Sequence, residues 1–122
     1  MLFRSPGWFL SGDMDAGPHT STDGRSWTKS RFRDARGGVM VMEYAVRPGD
    51  PQTVLMTSVG VVRSEDGGRS WQPALRSKVM FGPVAYAPGD PDVAYAVGFD
   101  RSLWRSDDGG RRWTREIGRA HV

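Results

Sequence analysis

Residues 64–71 read Ser-Glu-Asp-Gly-Gly-Arg-Ser-Trp, and residues 106–113 read Ser-Asp-Asp-Gly-Gly-Arg-Arg-Trp. A weaker copy, Thr-Ser-Thr-Asp-Gly-Arg-Ser-Trp, occupies residues 20–27. We call these segments the second, third and first box. Their closing tryptophans are 44 and then 42 residues apart along the chain. A period of this length is typical of proteins that stack copies of one supersecondary unit, so the repeat predicts the architecture first.

A second element, Pro-Gly-Asp-Pro, recurs at residues 48–51 and 88–91. Proline fixes φ and glycine admits positive φ, so each copy predicts a tight turn. The runs around the turns and boxes predict strands at 39–46, 53–58, 61–64, 79–87, 92–97 and 102–106, with one more strand leaving each box through its tryptophan. Four short strands per repeat, with no competing helical period, match the size of one propeller blade.

The predicted fold class is therefore all-β, a partial β-propeller of about three four-stranded antiparallel blades. We assign the whole chain, 1–122, to this one unit, with blades at 1–36, 37–77 and 78–119. The first blade is predicted to be incomplete, because its innermost strand would precede Pro6, where little chain remains. A fragment of a longer ring is therefore expected, and its open edges leave self-association as one class of partner.

The boxes have a physical logic as turns. A hydroxyl and an Asp carboxylate two residues apart can accept hydrogen bonds from turn N–H groups. The glycine near the end is predicted to take positive φ, and the tryptophans are predicted to occupy equivalent, mostly buried sites between sheets. The expected structural positions are Thr20, Gly24, Trp27, Ser64, Asp66, Gly68, Trp71, Ser106, Asp108, Gly110 and Trp113. An alternative register of the first box, through Ser21 and Asp23, requires a one-residue deletion.

The boxes, Ser-x-Asp-x-Gly-x-x-Trp, resemble the Asp-box (bacterial neuraminidase repeat) of sialidase-like and sortilin-like β-propellers. The resemblance covers about residues 6–117. It implies that the boxes are structural turns at the blade periphery, away from any substrate cleft. The superfamily includes sialidases, xyloglucanase-type glycoside hydrolases, sortilin-type receptors and photosystem assembly factors. The boxes therefore imply an architecture and no single activity.

Candidate catalytic residues are Asp13, Asp15 and Glu43. Glu43 lies on an expected innermost strand, which lines the channel of a propeller. Its neighbour Tyr44 must face the other way, so the two cannot form one catalytic pair. By the resemblance, xyloglucanase-type enzymes carry an Asp in a glycine-rich stretch like that around Asp13 and Asp15. Such an Asp could act as acid or base with a partner roughly 5–10 Å away.

Other candidate sites have less support. The segment Phe-Arg-Ser-Pro at 3–6 resembles the sialidase element Phe-Arg-Ile-Pro, which would give Arg4 the role of a carboxylate-binding arginine, but Ser replaces Ile. A calcium loop at Asp13 and Asp15 would need an oxygen ligand where Gly17 stands, so no metal is predicted. His19 and His121 have no acid–base partner in the sequence. No cofactor is predicted.

Composition narrows the function classes. The chain has a net charge of +3, but its 17 basic residues are scattered without a basic arm or helix, so nucleic acid is not an expected partner. Cysteine is absent, which excludes disulfides and thiolate chemistry. No stretch approaches the roughly 20 apolar residues of a membrane helix, and the N-terminus lacks the apolar core of a signal peptide. These features predict a soluble chain, while its compartment and the secretion of its parent stay open.

Two functions remain. The first is a non-catalytic module or fragment that presents loops to a protein or glycan partner. The alternative is a fragment of a glycoside hydrolase, of sialidase or xyloglucanase type, whose active site needs blades outside this chain. As an isolated chain it is not expected to be an enzyme, because too few acid, base and arginine positions are present to assemble a site of that superfamily.

Overall fold

The computed structural model describes residues 2–5, 8–12 and 16–116. They form two antiparallel sheets. The first sheet contains β1 (Leu2–Ser5), β2 (Trp8–Ser11), β3 (His19–Ser21) and β4 (Thr28–Lys29), in that order. The second contains β5 (Glu43–Val46), β6 (Val54–Ser64), β7 (Gln72–Ala87), β8 (Asp90–Gly98), β9 (Leu103–Ser106) and β10 (Thr114–Arg115), also in chain order.

The first sheet has a strand where the sequence predicted none. β1 pairs with β2 over its whole length, from Leu2 opposite Ser11 to Ser5 opposite Trp8. The expectation that the first repeat lacks its innermost strand is therefore wrong. Four residues are sufficient because the partner strand is equally short and the intervening Pro6 and Gly7 are turn-forming residues.

The run β6 joins two strands that the sequence predicted separately, at 53–58 and 61–64. Its first residues pair with β5, and Val61–Arg63 pair with β7. The N–H of Gly67 donates to the carbonyl of Gln52 at 2.9 Å, so the chain before β6 and the chain after it lie side by side. The run must therefore fold back on itself. Gly60, at φ 83°, lies at the reversal.

The run β7 reverses in the same way. Gln72, at its start, directly follows the second box, and the hydroxyl of Tyr86 near its end donates to Gly109 of the third box at 2.8 Å. Leu75 pairs with Val61, whereas Met80 pairs with Val59 across a register shift. Residues 76–79 therefore connect a strand of the second repeat to the first strand of the third.

Two apolar clusters lie on opposite sides of β6. Because neighbouring strand residues face opposite ways, Val54 and Met56 join one cluster and Leu55 joins the other. The first cluster ties the first sheet to the second repeat through Leu10, Val41, Tyr44 and Trp71. The other ties the second repeat to the third through Val61, Leu75, Phe81, Val84, Ala94 and Ala96. All eleven residues of β6 are buried, since sheet covers both faces.

The three box tryptophans are not equivalent in burial. Trp71 is 7% exposed and packs against the preceding repeat through Leu10, whereas Trp27 is 38% exposed. Trp113 is half-buried and packs against the cluster that contains Leu55 of the preceding repeat. The prediction of equivalent buried sites is therefore wrong for Trp27. Trp71 and Trp113 each pack towards the repeat before their own.

The strands define two ends of the molecule, which we name for use below. The boxes and the Pro-Gly-Asp-Pro turns meet at the box end, where Gly109 N–H donates to Asp92 O at 2.8 Å. The reversals of β6 and β7 lie at the opposite, connection end, where Phe99 N–H donates to Met80 O at 2.8 Å. None of the described residues forms a helix, so this part of the chain offers no helix that could cross a membrane.

Candidate functional site

The serine and aspartate side chains of each box form hydrogen bonds within their own turn. In the second box, Ser64 Oγ donates to Asp66 Oδ1 at 2.7 Å and accepts from Gly68 N–H at 2.9 Å. Asp66 Oδ1 also accepts from the N–H groups of Arg69 and Ser70 at 3.0 and 2.9 Å. In the third box, Ser106 and Asp108 make the same bonds to Gly110, Arg111 and Arg112. These carboxylates are bound within their own turns.

The first box uses the register that requires a deletion. Ser21 Oγ donates to Asp23 Oδ1 at 3.0 Å and accepts from Gly24 N–H at 2.8 Å. Thr20 instead lies in β3, opposite Thr28. The assignment of Thr20 to the hydroxyl position is thereby corrected to Ser21. Counting back from Trp27 misplaced it, because the one-residue deletion lies between Asp23 and Gly24, where the first box has a single glycine in place of two.

The box carboxyls are held ionised. Burial alone would raise the pKa of Asp66 and of Asp108, but the hydrogen bonds they accept outweigh it, and both pKa values lie below the usual range. The pKa of Asp23 is lowered chiefly by the N–H groups of Ser26 and Arg25. An anion that accepts several turn hydrogen bonds is suited to structure and poorly suited to donate a proton as a general acid.

We expect Asp66→Ala to destabilise the fold by about 1–3 kcal/mol at neutral pH, because it leaves turn donors unpaired. Since the folded pKa of Asp66 is depressed, its contribution is present above the ordinary pKa of 3.8 and is lost as the pH falls through the folded value. Urea unfolding of both proteins at a series of pH values between about 6 and 2 should show the difference shrinking on acidification.

Asp107→Ala is the control, because Asp107 is an exposed carboxylate of the third box that, among the described residues, pairs with Arg105 alone, at 2.8 Å. We expect it to change stability by less than about 1 kcal/mol. An Asp66→Ala difference that stayed constant down to the lowest pH would contradict the account of the turn.

Of the predicted catalytic carboxylates, the structure describes Glu43. Glu43 begins β5, opposite Thr57, and Tyr44 beside it is buried in the core, as opposite faces require. Asp13 and Asp15 lie outside the described residues. The flanking Gly12 is so close to Tyr44 that a Cβ there would be 2.8 Å from the phenol oxygen, so this loop starts beside β5.

The remaining candidate residues from the sequence are an arginine and two histidines. Arg4 is in β1, opposite Phe9. His19 Nδ1 lies 3.1 Å from the carbonyl of Gly17, a local contact that fits a structural role. His121 lies outside the described residues. Within the described ranges, no group of three or more His, Asp and Glu side chains is placed to hold a metal ion.

A groove of about 490 Å³ opens at the connection end. Its floor is apolar and includes Val59, Val62 and Leu75. Its rim comes from the two chain connections between repeats, with Arg33 on one side and Arg76 and Lys78 on the other. The combination of apolar floor and charged rim is typical of a site for another molecule.

The rim is cationic without internal compensation. Within the described residues, Arg33, Arg76 and Lys78 form no ion pair. Asp34 also lines the groove, but its Oδ1 accepts from the N–H groups of Arg36 and Gly38 at 2.8 and 2.9 Å, so it shapes its own loop. The groove therefore attracts anionic groups.

Sequence reasoning did not find this rim, because it judged the arginines to be scattered. The signal was positional: the segments that follow the strands leaving the first and second boxes, residues 31–36 and 76–78, each carry two or more cations. Segments that connect consecutive blades meet at one end of a propeller, so cations at equivalent places in two of them converge.

Comparison with solved structures establishes the fold. An ancestral GH74 enzyme aligns with 94% of this chain at a TM-score of 0.76 and 19% identity. YCF48 from Cyanidioschyzon merolae aligns with 63% of it at a TM-score of 0.54 and 26% identity. Both are β-propeller proteins. The chain is an all-β partial β-propeller.

The similarity goes no further than the fold. The partial propeller spans 17% of the length of the GH74 enzyme and 23% of that of YCF48. At 19% identity the first of these shows shared architecture alone. No family model matches the chain, and no curated protein matches it either.

Proposed function

We propose that this chain is a non-catalytic segment of a β-propeller that presents its connection end to a protein or glycan partner. The observation that carries the proposal is the groove there, in which Arg33, Arg76 and Lys78 surround an apolar floor without acidic partners among the described residues. Uncompensated charge at the rim favours encounter with an oppositely charged partner, and the apolar floor supplies contact area.

The proposal includes membership of the Asp-box superfamily. Its support is the recurrence of one hydrogen-bond pattern in all three boxes, with Ser21, Ser64 and Ser106 as the hydroxyls. The blade limits at 1–36, 37–77 and 78–119 remain predictions. Further blades, outside this chain, would complete the ring.

The alternative is a segment of a glycoside hydrolase. In its favour is the fold similarity to a GH74 enzyme. Gly12, which directly precedes the segment with Asp13 and Asp15, also lies close to Tyr44 of β5. Glycoside hydrolysis needs one carboxyl held protonated and another ionised. Among the described carboxyls with a displaced pKa, which include Asp66, Asp100 and Asp108, every displacement is downward.

Calorimetric titration tests the proposal with an acidic decapeptide that has one central leucine. We expect measurable binding that weakens at least tenfold in Arg76→Ala/Lys78→Ala, because each charge-assisted contact contributes about 1.5–3 kcal/mol. Binding should also weaken as ionic strength rises.

The matched control is Arg105→Ala, which removes an exposed cation that pairs with Asp107 away from the groove. It should bind as the parent does. Equal binding by the double variant would remove this surface from consideration, and hydrolysis of xyloglucan by the purified chain, abolished in Asp13→Asn or Asp15→Asn, would replace the proposal with the enzyme.

A further inference from the structure

Two grooves at the box end separate neighbouring boxes, and they are built alike. The first groove, of about 610 Å³, lies between the first and second boxes and is lined by residues of both, including Thr22 and Arg69. The second groove, of about 440 Å³, lies between the second and third boxes and includes Glu65 and Arg111 at its walls. Because the two grooves lie between equivalent boxes, a side chain that binds in the second groove indicates which chemical group fits the same place in the first.

A carboxylate bridges the second groove. Glu65 Oε2 accepts from Arg63 Nη1 at 2.6 Å and from Arg111 Nη2 at 3.1 Å. The hydrogen bond and charge of Arg63, followed by the charge of Arg111, lower the pKa of Glu65. One internal anion therefore ties the second box to the third and pairs with the cation that the third box contributes.

The first groove lacks that anion. Alignment of the boxes on their serines, Ser21 with Ser64, makes Thr22 the equivalent of Glu65, while Arg69 is the equivalent of Arg111. The arginine is thus retained and its carboxylate partner is replaced by a hydroxyl. Within the described residues Arg69 forms no ion pair.

Two more cations line the first groove. Alignment on the box tryptophans places Lys29 and Arg31 where the second repeat has Pro73 and Leu75. Residues two apart in extended chain lie on one side, so both face the groove. Neither forms an ion pair within the described ranges.

The backbone fixes two of these cations next to each other. Arg31 N–H donates to the carbonyl of Arg69 at 2.9 Å, and Ser30 Oγ donates to the carbonyl of Gly68 at 2.5 Å. The lining also includes one carboxylate, Asp66, but it accepts hydrogen bonds from its own turn. The backbone positions of Arg31 and Arg69 are therefore fixed beside each other, so no backbone ordering is needed when an anion binds.

The rest of the lining is polar and rich in hydroxyls. The residues are Thr20, Ser21, Thr22, Ser26 and Thr28, with Gln52 beside them. No apolar side chain is among the lining residues, so a peptide would find no pocket for an apolar anchor. Hydroxyl and amide groups instead match the hydroxyls of a sugar, each of which both donates and accepts.

We propose that the first groove binds an acidic glycan, with the carboxylate of a uronate residue in the position that Glu65 occupies in the second groove. Arg69 and Arg31 pair with the carboxylate, and the threonine and serine hydroxyls bond the sugar. This site is at the box end and does not depend on the groove at the connection end.

The test titrates hexagalacturonate into the full chain at low salt and follows binding by calorimetry. Arg69→Gln should weaken binding about tenfold or more, because it removes one charge-assisted contact. Thr22→Glu should abolish it, since the new carboxylate would occupy the site as Glu65 occupies the second groove. Near-UV circular dichroism of the tryptophans verifies that each variant is folded. If Thr22→Glu does not fold, the result for Arg69→Gln decides the test.

Arg111→Gln is the matched control, because the same substitution falls in the groove that is already filled, and it should leave binding unchanged. Arg76→Ala/Lys78→Ala should also leave it unchanged, which separates this site from the one at the connection end. No binding of hexagalacturonate would overturn the proposal. Equally tight binding of a neutral cello-oligosaccharide would also overturn it. Tighter binding of hexaglutamate, if Arg69→Gln weakened it, would overturn the proposal by indicating a peptide site.

Discussion

Trp71→Ala is expected to lower the free energy of unfolding by about 3–5 kcal/mol, the usual range for removing a large buried aromatic side chain. Trp71 packs between the first sheet and the second repeat, in contact with the cluster that includes Leu10, and its ring stacks on Tyr44 with centroids 6.1 Å apart. The substitution opens a cavity on both sides of the interface, so the two sheets should also separate more readily.

Trp27→Ala provides the matched comparison, since Trp27 closes its own box yet is 38% exposed. We expect it to lower stability by less than about 1 kcal/mol. Urea unfolding followed by far-UV circular dichroism measures both variants without relying on tryptophan fluorescence. Similar losses at the two positions would contradict the finding that Trp71 packs between two repeats while Trp27 is exposed.

Gly68→Ala is expected to lower stability by about 2–5 kcal/mol. Two effects add: Gly68 has φ 87°, where a side chain costs about 1–2 kcal/mol, and a Cβ there would lie 2.8 Å from Leu10 Cδ1, which forces repacking. The glycine is therefore required both by its turn and by the close approach of the first sheet.

Gly49→Ala separates the two effects. Gly49 has φ 76° in a Pro-Gly-Asp-Pro turn, but nothing lies within 4 Å of its would-be Cβ, so only the conformational part applies. We expect a loss of about 1–2 kcal/mol, measured by the same unfolding experiment. If Gly68→Ala proved no worse than Gly49→Ala, contact with Leu10 would have no role in placing the first sheet.

The sequence predicted the features that depend on local chemistry. The box turns and the positive φ at Gly68 and Gly110 follow from hydroxyl, carboxylate and glycine positions within a few residues, and strands such as β8 and β9 follow from the runs between turns. Such hydrogen bonds form inside one turn, so they need no knowledge of the neighbouring sheet. The period of the boxes then predicted the architecture.

Features that depend on neighbours were missed. The exposure of Trp27 depends on packing between repeats, which the box itself does not encode. The register of the first box through Ser21 was missed because a deletion before Gly24 cannot be seen by counting from the tryptophan. The rim of Arg33, Arg76 and Lys78 assembles from segments more than forty residues apart. Charge convergence of this kind becomes visible only when the ends of the strands are placed.

The contacts between repeats have an evolutionary consequence. Several of their acceptors are main-chain oxygens of box glycines: Gly68 accepts from Ser30, and Gly109 accepts from Arg63 and Tyr86. A main-chain oxygen is present whatever side chains a copy carries. Each unit that arises by gene duplication therefore already has an acceptor for hydrogen bonds from the neighbouring unit. The donors can then diverge, as a serine at one junction and an arginine with a tyrosine at the next illustrate. Divergence of the copies is thereby compatible with keeping the ring together.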